Sequence, residues 1–142
     1  MLYYEDVVEG TELPSLEKKP TTAQLVMYAG ASDDYTPIHY DRELAATAGH
    51  KSVIIHGALK SAFLGQLVTD WIGPDGQLVA LNVAYRAIDY PGDTLTCKGR
   101  VTDKCIDDGR GLVECEIWLE NGEGQVTTPG SATVALPLRN GG

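Results

Sequence analysis

Between Gly57 and Ile72 the chain carries one long helical pattern, and beyond Gly76 the pattern does not return. Leu59, Phe63, Leu67 and Trp71 recur at intervals of four, with Leu64, Val68 and Ile72 beside them, so one broad face of this helix is apolar. Ala58, Ala62 and Gly65 are small, which predicts a sheet wrapped closely around the helix at those positions, although Gly65 costs about 1 kcal/mol of helix propensity. Gly73-Pro74-Asp75-Gly76 ends the segment.

Everything after that turn alternates with period two. Val79, Leu81, Val83, Tyr85 and Ala87 form one inward set, Leu95, Cys97, Gly99 and Val101 a second, and Val113, Cys115, Ile117 and Leu119 a third. Asp107-Asp108-Gly109-Arg110-Gly111 and Asn121-Gly122-Glu123-Gly124 reverse the chain between them. A last strand runs from about Gln125 to Leu136, and its Pro129-Gly130 predicts an edge position or a bulge. A short N-terminal strand, helices, one long helix and then an antiparallel meander is an α+β order, and at 142 residues it fits a single domain spanning residues 1–142.

Two short helices precede the long one. Thr21-Thr22-Ala23-Gln24 has the form of a capping box, and Leu25, Val26 and Tyr28 or Ala29 supply its apolar stripe until Gly30. Asp41 to Gly49 has acids at its start and glycine at its end. Ala31-Ser32-Asp33-Asp34-Tyr35-Thr36-Pro37-Ile38-His39 lies between them, and Pro37 pushes Thr36 out of helical geometry. A turn bent there can aim Asp34 and His39 at one point, as acid/base chemistry on a small molecule requires. Each residue also has an ordinary use, Asp34 as a turn former and His39 as a surface or core side chain.

Ser32-Asp33-Asp34-Tyr35-Thr36-Pro37-Ile38-His39-Tyr40-Asp41, followed by Ile54-Ile55-His56-Gly57-Ala58-Leu59, resembles the signature of the MaoC-like dehydratases, the (R)-specific enoyl-CoA hydratases. That pattern runs Ser-Gly-Asp-x-Asn-Pro-Ile-His and then Ala-His-Gly-Met-Leu, so Asp33 stands where glycine is preferred and Thr36 where asparagine is. The resemblance extends from about Tyr4 to Pro137 and implies a hot-dog fold, a curved antiparallel sheet around the long helix. It implies interconversion of trans-2-enoyl and (R)-3-hydroxyacyl thioesters, with Asp34 the principal base and His39 orienting the water. The backbone N–H of Gly57, at the start of the helix, would hold the thioester oxygen as it gains charge, with Thr36, Ile55 and His56 contacting the substrate nearby; by residue type alone, glycine there more often serves only to relieve crowding. The substrate would be a thioester of coenzyme A or of an acyl-carrier protein, and no cofactor is called for. Paired sheet edges imply a dimer with an identical chain or a related hot-dog chain.

Twenty acidic against eleven basic residues give a net charge of −9, which argues against nucleic acid and anionic membrane as partners. An anionic carrier therefore needs a local positive rim, for which Arg42, Lys51, Lys60 and Arg86 are candidates. Cys97, Cys105 and Cys115 are odd in number and lack Cys-x-x-Cys spacing, so they read as reduced, mostly buried thiols of a cytoplasmic chain. The N-terminus lacks the look of a signal peptide, and no apolar stretch approaches the ~20 residues that span a bilayer.

His39, His50 and His56 lack His-x-x-x-His spacing, and the acids near them lie on other elements, so convergent metal ligands are not expected. Ser32 and Ser61 lack a Gly-x-Ser-x-Gly setting, and phosphate-cradling loops are absent. Hot-dog folds also serve thioesterases, whose carboxylate lies on or beside the long helix; here that helix carries only Asp70, near its far end. A partner-dependent or non-catalytic acyl-binding subunit is the other alternative.

Overall fold

The computed structural model describes residues 1–140. Its elements are β1 (Leu16–Lys18), α1 (Thr22–Ser32), α2 (Arg42–Thr47), α3 (Gly57–Ile72), β2 (Gln77–Val83), β3 (Leu95–Asp107), β4 (Arg110–Glu120) and β5 (Val126–Leu136), with single 3₁₀ turns at Tyr4–Asp6 and Pro37–His39. The strands form one antiparallel sheet in the order β1-β3-β4-β5-β2. This sheet curves around α3, which packs against β2, β3, β4 and β5 and fills the concave side. The architecture is the α+β hot-dog fold.

The core is built by the expected alternation. Leu95, Cys97 and Val101 of β3 and Val113, Cys115, Ile117 and Leu119 of β4 are buried, and they meet Leu59, Phe63, Leu64, Leu67, Val68 and Ile72 of α3. Asp108 and Gly109 both have positive φ, 48° and 74°, as a two-residue hairpin turn between β3 and β4 requires.

Four local expectations are corrected. The pairing of β2 with β5 slips between Leu78 and Ala80, so Val79 turns outward and Leu78, Leu81 and Val83 face the core; Tyr85 lies beyond the strand and is exposed. β5 is an interior strand, flanked by β4 and β2, despite Pro129. A bulge does lie close by, because Leu119 pairs with Thr128 while Glu120 pairs with Val126. Helix α1 runs through Gly30 to Ser32, and Val26 is exposed rather than part of a buried stripe, leaving Leu25 and Ala29 as its buried anchors. Ala58 and Ala62 lie on the open side of α3, away from the sheet.

Candidate active site

Three consecutive pieces of local structure deliver Asp34 and His39. Thr21 caps α1 by accepting from the Gln24 N–H at 3.1 Å. The helix stops at Asp33, which takes the left-handed conformation with φ 57°, and the Asp34 N–H bonds back to the Ala29 carbonyl at 3.1 Å. This explains why the resembled pattern has glycine at position 33: the backbone there turns left-handed, and aspartate is among the few side chains that tolerate it.

The Asp34 carboxylate is then fixed by the turn that follows. Oδ1 accepts from the Thr36 N–H at 3.2 Å and from the Thr36 hydroxyl at 2.7 Å. The hydroxyl bond first, and the backbone bond second, lower the Asp34 pKa from its ordinary value, with His39 and His56 adding smaller pulls in the same direction. Asp34 is therefore a carboxylate at neutral pH, and its side chain keeps 40% of its surface open.

His39 ends the 3₁₀ turn that Pro37 begins, and it is buried. Its Nδ1 lies 2.8 Å from the Ile54 carbonyl oxygen. A carbonyl can only accept, so Nδ1 carries the proton and Nε2 of the neutral ring presents a lone pair. That Nε2 lies 3.7 Å from Asp34 Oδ2, too far for a direct hydrogen bond but suited to sharing a water. The Ile54 N–H in turn bonds to the Ile38 carbonyl at 3.0 Å, so turn and strap hold each other.

Gly57 is the first residue of α3, and its N–H has no hydrogen-bond partner among the described residues. The Tyr85 ring lies directly over it: a Cβ at position 57 would sit 2.9 Å from a ring carbon, so any larger residue there has to displace that ring. The Tyr85 hydroxyl shares a 2.6 Å hydrogen bond with Ser61 Oγ. Ile55 is buried beneath, its N–H on the Asp89 carbonyl at 2.9 Å. A cavity of about 200 Å³ joins His39, Ile54, Ile55, Gly57, Lys60 and Tyr85.

Lys60 is not part of a surface rim. It is buried, with Nζ 3.0 Å from Asp89 Oδ2 and 3.1 Å from the Ala87 carbonyl, while the Thr127 hydroxyl bonds Asp89 Oδ2 at 2.6 Å. The signal was present in the sequence, since Lys60 stands one turn before Phe63 and Leu64 on the apolar stripe; its partner Asp89, far along the chain, gave none. Arg42 and Arg86 are exposed. Lys51 lines a larger polar cavity of about 550 Å³ with Tyr90, Asp93 and Asn121, a cavity that neither Asp34 nor His39 lines.

His56 is the third ring of the site. It stacks on His39 with centroids 3.7 Å apart and planes at 18°, and Tyr28 meets its edge at 4.9 Å. Burial first, then the neighbouring His39, lower its pKa from the ordinary imidazole value. Contrary to the expectation from spacing, donor atoms of Asp34, His39 and His56 converge to within 4.8 Å of one another. The stacking makes this a poor metal site: lone pairs lie in the ring planes, and two nearly parallel planes do not meet within the ~2.1 Å of a metal–nitrogen bond.

Residues 6–119 match the family model described as MaoC like domain. An (R)-specific enoyl-CoA hydratase of Rhodospirillum rubrum is 31% identical over 96% of this chain and 93% of its own. The 3-oxo-4,17-pregnadiene-20-carboxyl-CoA hydratase beta subunit of Mycobacterium tuberculosis is 29% identical over 94% of this chain and 98% of its own. A chain in the crystal structure of the ChsH1-ChsH2 complex from Mycobacterium tuberculosis shares the fold with a TM-score of 0.80 at 26% identity, over 91% of this chain and 98% of that one. With the motif residues assembled at the mouth of the long helix and the family model spanning most of the sequence, the chain belongs to the MaoC-like domain family.

Proposed function

We propose that this protein is a hydratase/dehydratase interconverting trans-2-enoyl thioesters and (R)-3-hydroxyacyl thioesters, with residues 1–142 acting as one catalytic domain. The observation that carries the reading is the Asp34–His39 pair: an ionised carboxylate and an imidazole with its tautomer fixed, 3.7 Å apart at the edge of a cavity. Relatives named as hydratases support it.

In the hydration direction Asp34 takes a proton from water as the water oxygen bonds to C3. The C2=C3 pair moves toward the thioester oxygen, which the Gly57 N–H receives at the positive end of α3. The Asp34–His39 pair returns a proton to C2, so that one water has been added overall. His39 orients the water through Nε2, Thr36 holds the base, and Ile55 and Gly57 border the reacting carbons. The chemistry calls for no cofactor, and the thioester carrier is coenzyme A or an acyl-carrier protein.

The protein acts as a dimer with a second hot-dog chain, identical or related. β2 is an edge strand that leaves Val79 exposed, with Tyr85 and Ile88 exposed just beyond it, and an open edge of this kind is normally covered. The relative named as a beta subunit favours a related partner as the second form of this reading. No helix among the described residues is long and apolar enough to cross a membrane. The reduced thiols and acidic surface support the reading of a cytoplasmic enzyme that takes neither nucleic acid nor membrane as partner.

The test is loss of the conjugated enoyl-thioester absorbance on mixing purified protein with short, long and bulky trans-2-enoyl-CoAs. Turnover supports the reading. Hydrolysis of the thioester without hydration would replace it with a thioesterase, and turnover only with a related chain present would establish the heteromeric form.

A further inference from the structure

The ring of His56 is 1% exposed, packed between His39 and Tyr28 with the Asp34 backbone carbonyl facing it, and neither of its nitrogens makes a well-formed hydrogen bond among the described residues. Burying a polar group unpaired is destabilising, a cost that a phenyl ring at the same place would avoid. One nitrogen from each histidine and one Asp34 oxygen lie within 4.8 Å of one another. Three atoms no farther apart than 4.8 Å always leave a point within about 2.8 Å of all three, which is hydrogen-bonding distance for water oxygen.

We propose that His56 is a further catalytic residue, donating a hydrogen bond to the oxygen of the water that attacks C3. The inference rests on the hydratase reading above. A water has two protons and two lone pairs. It gives one proton to Asp34 and points the other at His39 Nε2, whose lone pair is left open by the Nδ1 bond to Ile54. Accepting from His56 uses one lone pair, and the last lone pair is aimed at C3. Without the third contact the water can rotate about the Asp34–His39 line, and its nucleophilic lone pair is not fixed.

The donor role needs a neutral ring with one N–H, the form that burial favours at neutral pH. The groups facing His56 are His39 by stacking, Tyr28 by its edge, and the carboxylate and backbone carbonyl of Asp34, which pull the other way. Stacked rings that cannot share a metal can share a water, because hydrogen bonds are longer and bend more readily than metal–nitrogen bonds.

The experiment is His56→Phe, which keeps the stacked ring and removes both nitrogens. Expected are an unchanged or higher melting temperature, a kcat lower by roughly tenfold to a thousandfold, and a KM for the enoyl-CoA that changes little. The product's 3-hydroxyl occupies the water's place, so calorimetric titration should show that the wild type prefers (R)-3-hydroxybutyryl-CoA to butyryl-CoA and that the preference is reduced in His56→Phe. His56→Gln, which retains an N–H, should recover part of both properties, and it carries the test if the phenyl variant does not fold. A folded His56→Phe with full turnover and an intact preference overturns the proposal while leaving the hydratase reading standing. A wild type that neither hydrates enoyl-CoAs nor prefers the hydroxyacyl thioester overturns both.

Discussion

The Thr36 hydroxyl donates to Asp34 Oδ1 at 2.7 Å, and this leaves Oδ2 as the oxygen that faces His39. A hydroxyl thus does at this position what an amide side chain would have to do in the resembled pattern: it fixes the carboxylate and keeps it ionised. Thr36 ties the turn through both its hydroxyl and its backbone N–H.

Thr36→Val removes that bond and lets the Asp34 pKa rise toward the ordinary carboxylate value. The acid limb of the pH–rate profile should move to higher pH, while the rate above neutrality changes only severalfold. Stability follows the same sign. A depressed folded pKa contributes stability that is present above the unfolded value of about 3.9 and is lost as pH falls through the folded value. The variant's deficit in urea unfolding should therefore be seen at neutral pH and vanish in acid. An acid limb that stays in place would show that Thr36 does not tune the base.

Asp34→Asn preserves shape but cannot take a proton, and hydration should fall by roughly a hundredfold to ten-thousandfold with the fold intact. His39→Ala should lose a comparable factor. On the proposed reading, in which both hold one water, the double variant should lose less than the product of the two single losses. Multiplicative losses in steady-state kinetics would mean that the two act separately.

Lys60 and Asp89 are both buried, so removing one charge strands the other. Lys60→Met should destabilise by about 3–5 kcal/mol in denaturant unfolding, and the paired change Lys60→Met with Asp89→Leu should recover most of it. A single variant as stable as the parent would show that Asp89 escapes to solvent when its partner is gone.

Burial pushes the Cys97 and Cys115 thiols up to about 12, whereas Cys105 is exposed. Iodoacetamide at neutral pH should modify Cys105 alone in the native chain and all three cysteines after unfolding, as read by mass spectrometry. Rapid native alkylation of Cys97 or Cys115 would mean that the sheet opens on that timescale.

The long helix was legible to its terminal residues because a four-residue repeat and a Gly-Pro turn are local signals. So were the inward sets of β3 and β4, because the slip in their pairing falls in β3 after Val101, beyond its last core position, and leaves the alternation of β4 unbroken. Val79 was misread because the slip opposite β5 is decided by a partner strand some fifty residues away, which period two cannot foresee. Pro129 tolerates an interior strand because its carbonyl accepts from the Ala84 N–H, so its nitrogen faces the side on which β2 has already ended at Val83 and no ladder bond is lost. At the site, Asp34, His39 and Gly57 were legible as a motif. The stacking of His56 on His39 and the burial of Lys60 depend on contacts across the fold, and nothing local announces them.

The Nδ1 bond of His39 ends on a backbone carbonyl, and that choice has an evolutionary consequence. A side chain in that role could be lost in one mutation, but every residue type at position 54 offers the same oxygen. Ile54 borders the cavity and is free to change size as acyl groups differ, while the histidine's proton stays where it is. Substrate range can drift at this position without the geometry of His39 beside Asp34 having to be rebuilt.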